Sequence, residues 1–423
     1  MNHFLRNSIA LFIAASLCLS FMMVEDDWGF FGHRRINRMA VFTLPQEVFG
    51  FYKKHIEFIT EHAVDPDKRR YATKHEAVRH YIDIDHWGVF PFDEVPRDWT
   101  DALVKYTDIY TLTERGDTLH LFGDKVIEQT DDLLELTHPP SLRMLSMSNL
   151  QFDRSAYKQF FIEEIQPNYY EDDWIIDTEK FKTYFKDATG IDLKTNIVFG
   201  RDRFSGYGIL PYHLLSMHHR LANAFEERNT EKILRLSADF GHYIGDAHVP
   251  LHTTENYNGQ LTNQIGIHAF WESRIPELYA DRSYDFYVGK AVYIDDPKTY
   301  YWDIVLESHA LLDSVLLIEK ELSRTFPEDK QFCFEDRLNR TIYTQCEAYA
   351  KAYSERMQGM VERRMRESVS SLGSAWYSAW IDAGQPDLKN LDLFKPDEAF
   401  KKEMKEEEEL FERGEAKGRK HDG

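Results

Sequence analysis

Apolar residues recur at helical spacing through residues 231–249, a stretch that contains no proline. In such a helix Ile233, Phe240 and Ile244 fall on one face, which requires a hydrophobic partner. Residues 211–228, 300–322 and 343–374 have the same pattern. Alternating strand patterns and Asn-Gly hairpin turns are scarce, so the sequence predicts an all-α fold.

Residues 107–205 differ from the rest of the chain. Short apolar runs alternate there with turn clusters such as His138-Pro139-Pro140, and Tyr and Phe are dense. We interpret this range as an irregular insertion in one domain that spans residues 28–386. Beyond it, residues 387–423 are strongly charged and are predicted to be a solvated C-terminal tail.

The N-terminus has the features of an export signal. Arg6 is followed by an apolar run over residues 9–24, which is short for a bilayer crossing. The pattern predicts a signal peptide over residues 1–20 with cleavage near Ser20. We therefore expect an exported protein, periplasmic or secreted, with a retained N-terminal membrane anchor as the alternative.

The charge balance limits the class of function. Acidic residues outnumber basic ones 72 to 51, and the net charge is −21. A surface of this sign does not attract long polyanions, which argues against a protein that passively coats nucleic acid. An enzyme whose metal ions supply positive charge locally remains compatible with it.

Two His–acid pairs are spaced by one helical turn. They are His242 with Asp246 and His268 with Glu272, and His252 lies between them, just past the predicted helix end. A single pair of this kind is commonly a surface ion pair. Two pairs flanked by apolar residues that would bury them indicate a metal site, because imidazole and carboxylate are good zinc ligands.

These residues resemble the metal-binding core of the S1/P1 nuclease and zinc-dependent phospholipase C superfamily. The superfamily pattern His-x3-Asp-x5-His, followed by His-x3-Asp/Glu, occurs here with both spacings intact. Three upstream features match in chain order: Trp28 with His33, Asp65 in a short loop, and His80 followed by an aromatic residue. The resemblance implies a multi-helix phospholipase C/P1 nuclease-like fold.

The resemblance also implies three clustered zinc ions. By position, the ligands are Asp65, His80, His242 and Asp246 for one ion, His252, His268 and Glu272 for a second, and Trp28, His33 and the bridging Asp246 for a third. Asp67 is an alternative to Asp65, although Asp65 fits the superfamily register better. In the superfamily the Trp is the mature N-terminus, whereas cleavage near Ser20 leaves seven residues ahead of Trp28. Either cleavage falls later, or the Trp28 carbonyl binds the ion, or the third site is weak or absent.

The activity that the resemblance implies is a zinc-dependent phosphodiesterase, in which metal-bound hydroxide attacks the phosphorus. Asp65 and Lys68 are the candidate catalytic residues, because Lys68 matches a basic residue that holds phosphate in some superfamily nucleases. Tyr81 and Asp83 match residues that stack on and hydrogen-bond a base. The alternative places Tyr81 in the core and makes Asp83 a partner that orients a ligand histidine.

Three functions remain open at this level. The segment from His80 to Asp83 favours single-stranded nucleic acid or nucleotides as substrate. Glu272 stands where the superfamily's nucleases usually have Asp, which favours a phospholipase C that acts on phospholipid head groups and has an exposed apolar lip. The third is an exported metal-binding protein without catalysis. No stable protein partner is implied.

Overall fold

The computed structural model describes residues 30–112, 118–121, 129–130, 133–137, 149–168, 174–190, 192–337, 340–391, 394–414 and 416–417. The predicted signal peptide and Trp28 lie outside these ranges. Within them, no helix has both the length and the apolar composition that crossing a bilayer requires.

The prediction of a mostly helical chain is confirmed. The α-helices are α1 (Phe30–Ala40), α2 (Gln46–Lys54), α3 (Ile56–Glu61), α4 (Asp65–Arg69), α5 (Lys74–Ala77), α6 (Trp99–Tyr106), α7 (Arg154–Phe160), α8 (Thr178–Thr189), α9 (Leu210–Glu226), α10 (Thr230–Ala247), α11 (Ile267–Ala269), α12 (Ile275–Ser283), α13 (Pro297–Thr325), α14 (Glu347–Arg356), α15 (Met360–Asp382) and α16 (Glu398–Glu412). A π-helical turn, Phe270–Arg274, joins α11 to α12.

Short antiparallel strands depart from a purely helical chain. They are β1 (Thr107–Leu112), β2 (Thr118–His120), β3 (Gln129–Thr130), β4 (Leu133–Thr137), β5 (Asn149–Asp153), β6 (Trp174–Ile176), β7 (Val198–Asp202), β8 (Phe332–Arg337) and β9 (Arg340–Gln345). They pair as a four-stranded sheet in the order β2-β1-β7-β6, a three-stranded sheet β3-β4-β5 and the hairpin β8-β9.

The chain divides into two compact units. The first combines Met1–His86 with Ile209–Gly423, and the second is Trp87–Gly208. The predicted insertion therefore falls within the second unit, which begins earlier, at Trp87. Its many aromatic residues fill a core of their own, in which Phe161, Trp174 and Phe181 are almost fully buried.

Helix α10 lies in the core of the first unit. The Trp376 indole donates a hydrogen bond of 3.1 Å to the Ser237 carbonyl, and the Tyr52 hydroxyl lies 2.8 Å from the Ser237 hydroxyl. The rings of Tyr52 and Trp376 stack with centroids 4.6 Å apart. These buried hydrogen bonds of Ser237 form only when this face of α10 is turned toward Tyr52 and Trp376, which fixes the rotation of α10 about its axis.

Two sequence predictions need correction. Residues 343–374 do not form one helix: their first three residues belong to β9, and α14 and α15 are separated at Gly359, whose φ is 76°. Such a φ is incompatible with a continuing right-handed helix and favours glycine. The C-terminal range is also not simply a solvated tail, because α16 places Phe400 in a contact that leaves it 6% exposed.

Candidate metal centre

Helix α10 supplies the central pair of side chains. Its N-terminus is capped by Asn229, whose side chain accepts a hydrogen bond from the Lys232 amide, and its last residues precede Pro250. His242 and Asp246 project from one face one turn apart, and neither is exposed to solvent. A 3₁₀ turn, Pro250–Thr253, then returns the chain so that His252 reaches the same cluster.

The His, Asp and Glu side chains converge in four overlapping groups. Within each group the potential ligand atoms all lie within 4.8 Å of one another. The groups are His33, Asp67 and His242; His80, His242 and Asp246; His252, His268 and Glu272; and His33, Asp246 and Glu272.

The first site is built around His242. Its Nε2 lies 3.1 Å from His80 Nδ1 and 3.6 Å from Asp67 Oδ1, and His80 Nδ1 lies 3.0 Å from Asp246 Oδ2. Ligands about 2.0 Å from a tetrahedral zinc ion are about 3.3 Å from one another. The ligand atoms of His80, His242 and Asp246 therefore have the spacing of a metal-ligand set, and Asp67 Oδ1 approaches His242 in a separate group that it forms with His33.

The second site is formed by the loop histidine and the other helical pair. His268 Nε2 lies 3.2 Å from His252 Nε2 and 2.7 Å from Glu272 Oε2, and His252 Nε2 lies 3.3 Å from Glu272 Oε2. Three buried ligand atoms at this spacing could hold a metal ion, and catalytic zinc sites commonly have three protein ligands.

His33 stands between the two sites. Its Nε2 lies 3.4 Å from Asp246 Oδ1 and 3.5 Å from Glu272 Oε1. Asp246 and Glu272 thus each present one oxygen to His33 and the other to a neighbouring site. The superfamily resemblance implies the bridging position of Asp246 but not that of Glu272, and residue spacing alone predicts neither.

Backbone carbonyls orient two of the imidazoles. His242 Nδ1 donates to the Ala63 carbonyl at 2.9 Å, and His252 Nδ1 donates to the His80 carbonyl at 2.6 Å. These bonds leave the Nε2 lone pairs directed into the cluster. Burial, with smaller contributions from neighbouring groups, lowers the pKa of both histidines, which favours the neutral form that binds metal.

The carboxylates concentrate negative charge at the centre. Burial, followed by repulsion from Glu272 and Asp67, raises the pKa of Asp246 well above its ordinary value. Burial opposes ionisation of Glu272 too, but attraction from His252 and hydrogen bonds from the histidines hold its pKa well below the ordinary range. Asp246 Oδ1 is buried and makes no hydrogen bond to a described residue. A buried acceptor among nitrogen and oxygen ligands fits a bound zinc ion.

The loop aspartate that reaches the cluster is Asp67 instead of the predicted Asp65. Asp65 Oδ2 accepts a hydrogen bond of 2.6 Å from His62 Nδ1, and no group of described metal ligands includes it. Residues two apart on a helix point in nearly opposite directions, so α4 can direct only one of these carboxylates to the site. The basic residue three positions after Asp67 is Arg70, whose Nη1 lies 3.4 Å from Asp67 Oδ1.

The other predicted substrate residues do not face an open cleft. Lys68 Nζ donates to Glu408 on α16. Tyr81 and Asp83 are each only 6% exposed, which leaves little of the Tyr81 ring for stacking on a base. The Ile82 amide between them donates to the His252 carbonyl at 2.9 Å. This segment therefore frames the second site, in line with the alternative that places Tyr81 in the core.

Two glycines of α10 bring α1 close enough for His33 to reach the site. A Cβ at Gly241 would overlap the Asn37 side chain, and one at Gly245 would lie 2.8 Å from His33 Nδ1. Asn37 uses this contact to donate to the Ala238 carbonyl at 3.0 Å. The Gly-x3-Gly spacing on the ligand helix is the sequence signal that could have predicted this close approach.

Replacing Gly245 with Ala is expected to displace His33 and weaken metal binding at its group about 10-fold or more, because the new methyl carbon would lie 2.8 Å from His33 Nδ1, closer than van der Waals contact allows. Chelator competition on the purified protein measures this. Gly50→Ala is the matched control, because nothing lies within 4 Å of its Cβ and the change should leave metal affinity unaltered. Unchanged affinity in Gly245→Ala would show that His33 is not a ligand.

No sequence profile of a known protein family matches the chain. A comparison with functionally characterised proteins also found no match. The functional assignment therefore depends on the geometry and chemistry of the cluster itself.

Proposed function

We propose that this protein is a zinc-dependent phosphoric ester hydrolase that cleaves phosphodiesters, related to the S1/P1 nuclease and phospholipase C superfamily. The observation that carries the proposal is the sharing of Asp246 and Glu272 among adjacent ligand groups. Carboxylates that bridge neighbouring sites hold metal ions close together, as in many hydrolases that act on phosphate esters. A set of separate structural zinc sites would not need shared ligands.

The described residues would hold the ions as follows. His80, His242 and Asp246 would supply the first site, His252, His268 and Glu272 the second, and His33, Asp246 and Glu272 the third. Asp67 would add a carboxylate beside His33 and His242. Zinc bound there would act as a Lewis acid. It would polarise the phosphate and lower the pKa of a water at the site to near neutrality.

The chain's own residues prepare this chemistry. Carbonyl hydrogen bonds fix His242 and His252 in the tautomer that binds metal. The Asp85 carboxylate accepts hydrogen bonds from the Thr254 hydroxyl at 2.6 Å and the Glu255 amide at 3.1 Å, which hold the chain after His252. Ligands supported in this way keep their geometry when substrate binds.

The proposal is tested by measuring the metal content of the purified protein together with its hydrolysis of single-stranded DNA, RNA and phosphatidylcholine, with and without chelator. Chelator-sensitive cleavage by a protein containing two or three zinc ions is expected. Bound zinc without cleavage of any of these would favour the non-catalytic metal-binding protein. No stoichiometric metal after reconstitution would refute the metal centre.

A phospholipid substrate is the second candidate, and one surface feature favours it over nucleic acid. The loop between His252 and His268 presents Leu261 and Ile265 to solvent, 71% and 66% exposed. Exposed apolar side chains on the loop that joins two ligand histidines suit contact with a lipid surface better than contact with a polyanion.

If lipid is the substrate, Leu261→Glu with Ile265→Glu should lower hydrolysis of phosphatidylcholine vesicles about 10-fold or more, because apolar contact with the bilayer is lost. Hydrolysis of a soluble short-chain phosphodiester should stay within about 2-fold. Val292→Glu is the control, since Val292 is similarly exposed, at 61%, outside this loop. An equal fall on both substrates would contradict a lipid-contact role.

A further inference from the structure

The C-terminal helix α16 packs against the segment that carries Asp67. Phe400 is buried against Phe58 and His62, with ring centroids 6.0 and 5.5 Å away. Near the other end of α16, Phe411 contacts Phe30 and Tyr71, with centroids 5.7 and 5.3 Å away. The apolar face of α16 is therefore engaged along its length.

Polar contacts reach the residues that directly follow Asp67. Lys68 Nζ donates to the Glu408 carboxylate. The Lys417 amide donates to the Arg70 carbonyl at 3.1 Å, and its ammonium group donates to the Ala72 carbonyl at 2.8 Å. None of these contacts involves a candidate metal-binding atom. They hold the backbone and side chains that surround Asp67.

The same helix is tied to the helix that supplies the other ligands. Arg235 on α10 donates to both oxygens of Glu403, at 2.6 and 3.0 Å. Bidentate pairs of this kind fix orientation as well as distance. Helix α16 thus bridges α4, which carries Asp67, and α10, which carries His242 and Asp246.

Helix α4 has little stability of its own. It is five residues long, and α5 after it has four. Helices this short are not stable without tertiary contacts. A metal ligand must nevertheless be held within a few tenths of an ångström of its productive position.

We propose that α16 and Lys417 form a positioning element that holds α4 against α10 and so places Asp67 beside His242 in the metal centre. This inference rests on the metal centre in the proposed function. It assigns a role to Glu398–Glu412 and Lys417, which contribute no ligand to the described groups and lie far in sequence from all the ligand residues.

The test is the double variant Glu403→Gln with Glu408→Gln in the full chain. It removes the ion pairs of α16 with Arg235 and Lys68 and keeps the helix itself. Zinc affinity of the metal-depleted protein is measured by chelator competition, and hydrogen–deuterium exchange is followed over residues 65–72. We expect one ion to bind about 10-fold more weakly, with the others unchanged, and exchange over 65–72 to rise. Glu406→Gln with Glu409→Gln is the matched control, because among the described residues these carboxylates form ion pairs with Lys402 and Lys405 of the same helix.

A charge exchange separates positioning from general destabilisation. Lys68→Glu should weaken the same ion, and Lys68→Glu with Glu408→Lys should restore it at an unchanged melting temperature. Unaltered zinc affinity and exchange in the Gln variant would overturn the proposal, as would equal weakening of every ion. If the wild-type protein binds no zinc, the proposed function fails, and exchange over residues 65–72 still decides whether α16 holds this segment.

Discussion

Replacing Asp246 with Asn should abolish hydrolysis, with a loss of roughly 10³-fold or more in kcat/KM. One Asp246 oxygen faces His80 at 3.0 Å and the other faces His33 at 3.4 Å, so a single substitution disrupts two sites. The Asn side-chain amide has nearly the same volume as the Asp carboxylate but is a poor bridging ligand for metal ions. We expect a folded protein with fewer bound ions, measured by metal analysis and steady-state kinetics.

Thermal unfolding separates the loss of metal from misfolding in this variant. Chelator should lower the melting temperature of the wild-type protein, because a ligand present at 100 times its Kd stabilises the folded state by about 2.7 kcal/mol. The chelator effect should be much smaller in Asp246→Asn. Asp313→Asn on α13 is the control for an Asp-to-Asn change on an exposed helix face. Full activity and metal content in Asp246→Asn would exclude the bridging role.

Asp67→Asn should lower kcat/KM by roughly 10²–10³-fold, whereas Asp65→Asn should lower it by less than about 10-fold. Asp67 Oδ1 lies 3.6 Å from His242 Nε2 and 3.8 Å from His80 Nδ1. Asp65 instead accepts a hydrogen bond from His62, and an Asn oxygen can accept it equally well. Kinetics and zinc stoichiometry on the two variants measure the difference.

The same pair of variants decides between the structure and the superfamily register. If Asp65→Asn loses an ion while Asp67→Asn keeps all of them, the ligand is Asp65, as the sequence resemblance predicts. Because each variant removes one carboxylate from the same short helix, each is the other's control for changes in local charge.

The helical framework of the site could be predicted from sequence because its signals are local. Apolar periodicity located α9, α10 and α13 to within a few residues, and helical spacing placed His242 with Asp246 on one face. The His268 and Glu272 pair was predicted in the same way. For His242 and Asp246 the backbone geometry of one helix determines the shared face, whereas His268 lies on α11 and Glu272 in the π-helical turn that follows it.

The choice of Asp67 over Asp65 depends on contacts that no local pattern contains. Both carboxylates lie on the same five-residue helix, and the face that turns toward His242 is decided by what packs on the other side. Part of that packing comes from α16, whose Glu408 is 340 positions away from its partner Lys68. The charged composition of α16 predicted a solvated surface because its few aromatic residues carry little weight in an average.

The sequence by itself determined that α9, α10 and α13 are helical and that His242 and Asp246 project from one face, because one helical turn sets that spacing. Tertiary structure decided which carboxylates are shared between sites, which loop oxygen enters the cluster, and how close α1 approaches α10 at Gly245. These outcomes depend on distances between chain segments far apart in sequence, which are set by side-chain packing and the burial of charge.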